Sequence, residues 1–435
     1  MNPQELPLVQ AADLTFERSF PVNSIGWNNE PTDLTYGGQP LAVGVDGESL
    51  YFGCHKPNWF ARVSIPPEGG KADFIEEGRE IPYTVSNVDS CVIGGMMHHE
   101  GRLLSTKFIF YDAAYGAYCS HQASDDDGAS WTTPARLGDK NPGYYAGYMC
   151  NVPEEWRELL GGPALTGQGI LSIIGRTSFG PAAFAFDPKQ VKDTDTLVPT
   201  IDLLYYTMDN PLHNPDVQNE LFTRTDQLGG CFIVPGTRSL LFVGYHGMGP
   251  ICYGGGVSDP DKHGTLDDTG MMQCYDPTTG AQGEHTYPYR GQVWAYDLND
   301  LVRVKAGEIA PWDVAPYDVW ALPGVSQEQY RVVRGGVGFN AADGRIYVAE
   351  IFWDSPRVDV FKVALTNTPP IDPPPTTDDC ITNPLVVTDV SVEIKKQNQT
   401  TLKWTGPEDV SVHYDPVAGT CEFTDSRGCK VVIER

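Results

Sequence analysis

The sequence predicts an all-β chain, in which a β-propeller is followed by a proline-rich linker and a small C-terminal β domain. Three observations lead to this prediction. The chain has 46 Gly, 35 Pro, 17 Phe, 9 Trp and 21 Tyr among 435 residues, which favours short strands and tight turns over long helices. Gly-Gly pairs recur ahead of apolar runs. Residues 369–375 contain five prolines, which separate a large body from a small tail.

The Gly-Gly pairs recur at intervals of 57, 67, 68 and 106 residues, and they are Gly37-Gly38, Gly94-Gly95, Gly161-Gly162, Gly229-Gly230 and Gly335-Gly336. Several of them precede two apolar strands that are joined by a tight turn. A pair of hairpins cannot bury its own apolar face, and a propeller repeats such units around an axis. The longest interval has room for an extra blade and an insertion, so six blades are predicted, with five or seven as alternatives. Two β-sandwiches with coincidental glycine pairs are the competing interpretation.

The proline-rich stretch defines the predicted domains, because proline fixes φ, removes a hydrogen-bond donor and favours an extended spacer. We expect a propeller over residues 1–364, a linker over 365–378 and a β module over 379–435. Alternating apolar and polar residues at 386–394 and 400–404 indicate strands in this tail. A bridge of Cys429 with Cys421 or with Cys380 would stabilise so small a domain.

The charge balance excludes one class of protein. With 30 Lys and Arg against 57 Asp and Glu, the formal net charge is −27, which repels nucleic acid. We expect no membrane span, because no run of 18 apolar residues occurs. The first residues lack the basic and apolar segments of a secretory signal, so we expect no Sec signal peptide.

Residues 124–131, Ser-Asp-Asp-Asp-Gly-Ala-Ser-Trp, fit the pattern S-x-D-x-G-x-x-W. An Asp side chain can accept hydrogen bonds from turn amides, glycine can adopt positive φ, and tryptophan can pack on the sheet. The segment resembles the Asp boxes of sialidase-like β-propellers, which implies a fold and no chemistry. The segment at 60–66 does not match the sialidase Arg-Ile-Pro signature, so sialidase activity is discounted. A calcium loop is the alternative, although an EF-hand would need a glutamate at its twelfth position.

A second resemblance covers roughly residues 90–362 and rests on segments 174–184, 274–289 and 292–301. These segments look like a group of bacterial propellers, many of unknown activity, and like propeller-type ulvan lyases. Such lyases remove the proton next to a uronate carboxylate with His and Tyr, while Arg neutralises the carboxylate. The resemblance implies catalytic roles for His99, His121 and Arg176, with Tyr145, or its neighbours Tyr144 and Tyr148, as the acid. Alternatively, these are buried strand residues, with Arg176 paired to an Asp.

Residues 244–291 concentrate soft metal ligands. His246-x5-Cys252 and Cys274-x10-His285 form a two-Cys, two-His set, which is a ligand set that structural zinc prefers and that could order a long insertion. The resemblance to the lyases, where a structural zinc fixes this kind of insertion, supports zinc as a cofactor. A Cys252–Cys274 disulfide with exposed histidines is one alternative, and the absence of any bridge is the other.

The sequence therefore predicts glycan or receptor recognition by a propeller on a virion or another extracellular assembly, as a fibre, spike or decoration protein. Release of virions by lysis would reconcile a cysteine-bearing tail with the lack of a signal. The expected partners are a cell-surface or extracellular glycan and, through the linker and the C-terminal module, neighbouring copies or other structural proteins. Candidate sugar-stacking residues are Trp27, Trp59, Tyr144, Tyr145 and Tyr148. The alternative function is a polysaccharide lyase, or a glycoside hydrolase, that acts on uronate-rich polysaccharide, and a cytosolic scaffold is disfavoured.

Overall fold

The computed structural model describes residues 2–365, apart from 26–29, 83–84, 86–90, 111, 170, 173, 194–195, 325–334 and 351–355, together with five strands beyond residue 387. The chain divides into two compact units, Met1–Thr366 and Asn367–Arg435. Nearly all of the expected linker over 365–378 lies outside the described residues, as do Cys380 and Cys429.

Strand β1 (Leu14–Pro21) precedes two antiparallel sheets of the first unit. Sheet 1 contains, in order, β2 (Leu41–Val43), β3 (Ser49–Gly53), β4 (Trp59–Ser64) and β5 (Phe74–Glu80). Sheet 2 contains β6 (Val92–His99), β7 (Arg102–Phe108) and β8 (His121–Ser124).

The next sheet follows a short strand, β9 (Arg136–Leu137). Sheet 3 contains β10 (Met149–Asn151), β11 (Ala164–Thr166), β12 (Ala183–Phe186) and β14 (Ile201–Leu204). Between its last two strands lies β13 (Leu197–Val198), which pairs in parallel with β9.

Sheet 4 is interrupted by an insertion. Its first two strands are β15 (Gln227–Ile233) and β16 (Ser239–Gly247), and the insertion forms a separate three-stranded sheet of β17 (Cys252–Val257), β18 (Gln273–Tyr275) and β19 (Gln282–His285). The chain then returns to sheet 4 as β20 (Tyr289–Asp297) and β21 (Asp318–Ala321).

Sheet 5 combines both ends of the first unit. It contains β22 (Val337–Asn340), β23 (Arg345–Glu350) and β24 (Arg357–Val363), and β1 pairs with β24 as the outer strand. The first strands of the five sheets contact one another in the cycle β2, β6, β10, β15, β22 and back to β2. This propeller-like ring is closed, and we call these five strands the inner strands.

Glycine pairs allow the inner strands to approach closely. A Cβ atom added at Gly94 would lie 1.9 Å from the carbonyl oxygen of Ala146, and one at Gly229 would lie 2.2 Å from that of Gly335. No larger residue fits such spacing. The pair Gly161-Gly162 has another role, because Gly161 ends a helix with a φ of 87°.

The described residues form five such sheets, not the six that the intervals favoured. The longest interval contains the β17–β19 insertion within sheet 4, and its described residues form no additional sheet of the ring. A period in the sequence measures only chain length, and cannot distinguish an inserted sheet from a repeated one.

Apolar side chains fill each junction between adjacent sheets. One cluster joins Phe52 of sheet 1 to Phe20 and Val358 of sheet 5, and another joins Phe242 of sheet 4 to Leu203 of sheet 3. Similar clusters occupy the other three junctions. Burial between sheets, not within one sheet, therefore stabilises the ring.

In the turn after β8, an Asp side chain accepts a turn amide, as expected, and a serine hydroxyl accepts another. The Gly128 amide donates to Ser124 Oγ at 2.7 Å, and the Ser130 amide donates to Asp126 Oδ1 at 2.8 Å. Hydrogen bonds from Ser130 lower the pKa of Asp126 to about 2. Trp131 is buried with its ring edge against Phe60, at a centroid separation of 6.1 Å.

The described part of the first unit also contains two α-helices, α1 (Glu154–Leu160) and α2 (Leu298–Lys305). Six short 3-10 helices occur among the same residues: Pro3–Glu5, Ala11–Asp13, Pro142–Tyr144, Pro188–Gln190, Pro260–Lys262 and Pro311–Asp313. Within the described ranges, no helix has both the length and the apolar character needed to cross a membrane.

The five described strands of the second unit form two antiparallel sheets. One pairs β25 (Thr388–Lys395) with β26 (Gln399–Thr405), and the other contains β27 (Ser411–Asp415), β28 (Thr420–Thr424) and β29 (Lys430–Glu434).

Candidate ligand-binding cleft

The structure does not bring the four predicted catalytic residues together. His99, His121, Tyr145 and Arg176 are all at least 95% buried. No hydrogen bond or ion pair joins any two of these described side chains. Their catalytic roles stay a prediction. The described residues form no site that these four side chains share.

The two histidines differ in their contacts, because His99 Nε2 is buried without a hydrogen-bond partner among the described residues whereas both nitrogens of His121 have one. His99 Nδ1 lies 2.6 Å from Asn151 Oδ1. His121 Nδ1 lies 2.8 Å from Ser120 Oγ, and its Nε2 lies 3.0 Å from Thr166 Oγ1. Burial lowers the pKa of His121 to about 3, so this imidazole is neutral and has no nitrogen available to a substrate.

Tyr145 and Arg176 are similarly enclosed. Burial raises the pKa of Tyr145, whose hydroxyl accepts a hydrogen bond from the Lys140 amide at 3.1 Å. The Arg176 guanidinium lies 3.7 Å from the centre of the Tyr115 ring and donates to the Ala113 carbonyl at 2.8 Å. The expected Asp partner of Arg176 is absent among the described residues.

The four predicted zinc ligands form a different arrangement. Cys252 and Cys274 are bonded to each other as a disulfide, so neither sulfur is a thiolate ligand. His246 Nδ1 lies 2.7 Å from Asp226 Oδ2, and His285 Nδ1 lies 2.8 Å from Asp276 Oδ2. Both histidines are buried, whereas the disulfide alternative expected them to be exposed.

No cluster of three or more His, Cys, Asp or Glu side chains suited to a metal occurs among the described residues. Zinc at the four residues would require that Cys252 and Cys274 be reduced, so that their thiolates could bind the metal. It stays a prediction that metal analysis can test.

The insertion builds a cleft against sheet 4. The cleft has a volume of about 720 Å³, and Tyr253 of β17, Glu284 of β19 and Arg224 lie in its wall. It shares Phe110, Leu171 and Gln227 with a smaller cavity of about 150 Å³ that touches the beginnings of β6 and β15. The cleft therefore opens beside the ring of inner strands.

An ion-pair network crosses the wall of the cleft. Arg224 pairs with Asp216 and, at 3.4 Å, with Glu284. Burial raises the pKa of Glu284, although Arg224 opposes this shift. Arg224 Nε and Glu284 Oε2 are buried without a hydrogen-bond partner among the described residues. One donor and one acceptor in this wall thus remain unsatisfied at a cost in stability, and both atoms are buried from solvent.

Aromatic side chains border the same space. Tyr253 is 64% exposed and stands directly opposite Glu284 in the β17–β19 pair. Phe110 is 39% exposed. An exposed ring in a cleft that polar side chains such as Gln227 and Gln282 also line is an arrangement suited to a ligand with an apolar face and polar edges.

Asp276 fixes the base of the insertion. Its Oδ2 lies 2.8 Å from His285 Nδ1 and accepts a hydrogen bond from the Tyr289 hydroxyl at 2.8 Å. Burial alone would raise the pKa of Asp276, but hydrogen bonds from His285, Thr278 and Tyr289 outweigh it and lower that pKa. His285 and Tyr289 line the cleft, so this network supports its shape.

No protein-family model matches the chain, and no curated protein matches it. Among solved structures, the endo-arabinase from Bacteroides thetaiotaomicron is 10% identical with a TM-score of 0.37, covering 81% of this chain and 99% of that one. A luciferin-regenerating enzyme is 8% identical with a TM-score of 0.34, over 76% and 92%. An α-L-arabinofuranosidase from Fusarium graminearum is 12% identical with a TM-score of 0.30, over 80% and 98%. At these scores the likeness carries no argument about activity.

The sequence located the insertion but not the cleft. Of the expected sugar-stacking residues, Tyr144, Tyr145 and Tyr148 are buried, and Trp27 lies outside the described residues. Trp59 packs under Lys56, whose Nζ lies 4.2 Å from the ring centre. Alternation around Tyr253, in the run Cys-Tyr-Gly-Gly-Gly, was too weak a signal to show an exposed aromatic side chain.

Proposed function

We propose that this protein recognises a neutral or weakly charged glycan in the cleft between the insertion and sheet 4. The observation that carries the proposal is the exposed Tyr253 ring, which stands directly opposite Glu284 in the wall of the cleft. A sugar ring presents an apolar C–H face and a rim of hydroxyls, and hydroxyls both donate and accept. One hydroxyl-rich ligand could therefore stack on Tyr253 and form hydrogen bonds with polar side chains of the cleft wall, such as Gln227 and Gln282.

Charge favours a neutral glycan over a uronate-rich one. Arg224 is the cation in the cleft wall, and its guanidinium already pairs with Asp216 and Glu284. A uronate carboxylate would have to compete with those carboxylates, and it would approach a chain with a net charge of −27.

The cleft favours binding over catalysis. A glycoside hydrolase of the usual kind needs two carboxylates that flank the scissile bond, and Glu284 supplies the one carboxylate among the residues that line the cleft. None of His99, His121, Tyr145 and Arg176 lines it. Activity as a lyase or hydrolase on uronate-rich polysaccharide is therefore the less favoured function, and the test below also measures it.

We further propose that the first unit is a five-bladed propeller displayed on an extracellular assembly, such as a virion fibre, spike or decoration protein. The Cys252–Cys274 disulfide supports an oxidising location. The linker and the second unit would contact neighbouring copies or other structural proteins.

The test is glycan-array screening of the full chain, followed by calorimetry with the best neutral oligosaccharide. Tyr253→Ala should weaken binding by about tenfold, which corresponds to about 1.4 kcal/mol of lost stacking. Tyr36→Ala is the matched control, because Tyr36 is 59% exposed and does not line the cleft. It should leave affinity unchanged. Equal losses in both variants, or no binding to any neutral glycan, would contradict the proposal.

The same preparation should be incubated with uronate-rich polysaccharides while the ultraviolet absorbance of an unsaturated product is followed. We expect no increase. Turnover that His99→Ala abolishes would replace recognition by lyase activity as the function.

A further inference from the structure

Two buried thiols meet between inner strands of adjacent sheets. Cys150 lies in β10 of sheet 3 and Cys231 in β15 of sheet 4, and these strands contact each other. The two sulfur atoms are 3.4 Å apart, and neither cysteine belongs to the disulfide of the insertion.

The separation is short enough for bond formation. A disulfide bond is about 2.05 Å long, so each sulfur would have to move by only about 0.7 Å. Both cysteines also line a cavity of about 330 Å³ that the inner strands of all five sheets surround. This space permits small side-chain movements and admits a small reagent.

We propose that Cys150 and Cys231 are an oxidation site, and that hydrogen peroxide converts them into a disulfide joining sheet 3 to sheet 4. The thiolate of one cysteine attacks a peroxide oxygen, the O–O bond breaks, and hydroxide leaves and takes up a proton to give water. The resulting sulfenic acid is attacked by the second sulfur. The S–S bond forms, the S–O bond breaks, and a second water leaves with the proton of the second thiol. Two thiols and one peroxide thus give one disulfide and two waters.

The environment sets the expected rate. Burial raises the pKa of Cys231 well above its ordinary value, and the contact with Cys150 raises it further. Because the thiolate is the reactive form, oxidation should be slow at neutral pH and should accelerate in alkaline buffer. The site is independent of the glycan cleft, so its test does not depend on the proposed function.

The experiment treats the full chain with hydrogen peroxide at neutral and alkaline pH. The protein is then denatured, alkylated without reduction and digested. Mass spectrometry should find the Cys150 and Cys231 peptides joined, with two hydrogens lost, and should find more of this product at alkaline pH. The Cys252–Cys274 link provides an internal reference. A link already present in untreated protein would also support the proposal.

Variants separate the two chemical steps. In Cys150→Ser, the thiol of Cys231 should stop at the sulfenic acid, which dimedone traps, whereas Cys54→Ser should leave the cross-link intact. Oxidised methionines show that the peroxide has reacted with the protein. The proposal is wrong if, in such a sample, both cysteines can still be alkylated. It is equally wrong if either cysteine proceeds to sulfinic acid in the unmodified chain without forming the cross-link. The wild-type readout does not depend on any variant folding.

Discussion

His121 illustrates how burial determines chemistry at the scale of one residue. It is fully buried, and its ring packs edge-on against Phe186 at 5.3 Å. The Thr166 hydroxyl donates to the Tyr145 carbonyl at 2.5 Å, so it accepts from His121 Nε2. In the neutral tautomer with a proton on Nε2, both ring nitrogens therefore have a hydrogen-bond partner. This arrangement indicates a structural role for His121.

This arrangement predicts a pH dependence of stability. The pKa of His121 falls from 6.5 to about 3 on folding, so protonation favours the unfolded chain. The stabilisation is complete above pH 6.5 and is lost as the pH falls towards 3, by roughly 5 kcal/mol in total. Between pH 7 and pH 4.5, the free energy of unfolding in urea should fall more for the wild type than for His121→Gln.

The control for that comparison is His213→Gln, because the imidazole of His213 makes only an exposed contact with a backbone carbonyl. Its pH profile should match that of the wild type. Identical profiles for all three proteins would show that His121 is not buried in its neutral form.

The β17–β19 insertion shows how an element with little core is ordered. Its strands contain few buried apolar residues, such as Cys274. The Cys252–Cys274 bridge and the hydrogen bonds to Asp276 replace burial there. Without them, the loss of chain entropy on ordering such a segment would have to be offset by packing.

Removing the bridge should loosen the insertion. Cys274→Ser should lower the free energy of unfolding by about 3 kcal/mol if the loop unfolds with the whole unit, and it should speed proteolysis between β17 and β19. Metal analysis of untagged protein tests the zinc prediction at the same time. A joined Cys252–Cys274 peptide without zinc would end it, whereas one equivalent of zinc that is lost in Cys274→Ser would support it.

For the whole first unit, ring closure depends on a strand from the beginning of the chain. Strand β1 pairs with β24 along Leu14–Pro21, and Phe20 is buried in the cluster that joins sheet 5 to sheet 1. Residues more than 300 positions apart in the sequence therefore complete one sheet. We expect the unit to unfold as one cooperative body.

Substitutions on β1 test this closure. Phe20 is 1% exposed, so Phe20→Ala should reduce the free energy of unfolding by about 3–5 kcal/mol. Phe16 lies on the same strand and is 37% exposed, so Phe16→Ala should cost less than about half as much. Denaturant unfolding measures both. Equal and small effects would mean that β1 contributes little to closure.

The sequence by itself determined the local features of this protein. Strands and turns depend on neighbouring residues, so the all-β class and the turn at 124–131 could be predicted. Glycine pairs such as Gly94-Gly95 and Gly229-Gly230 marked inner strands, because only glycine fits where two backbones nearly touch. The position of a long insertion followed from the spacing of these pairs.

Only the tertiary structure decided how distant residues pair. Whether Cys252 would meet Cys274 or a metal depended on how the insertion folds, and whether His246 would meet Asp226 depended on the register between β15 and β16. The number of sheets depended on ring closure, and the cleft at Tyr253 depended on both. Side-chain partners across sheets are set by packing in three dimensions, and a linear pattern of residue types does not contain that information.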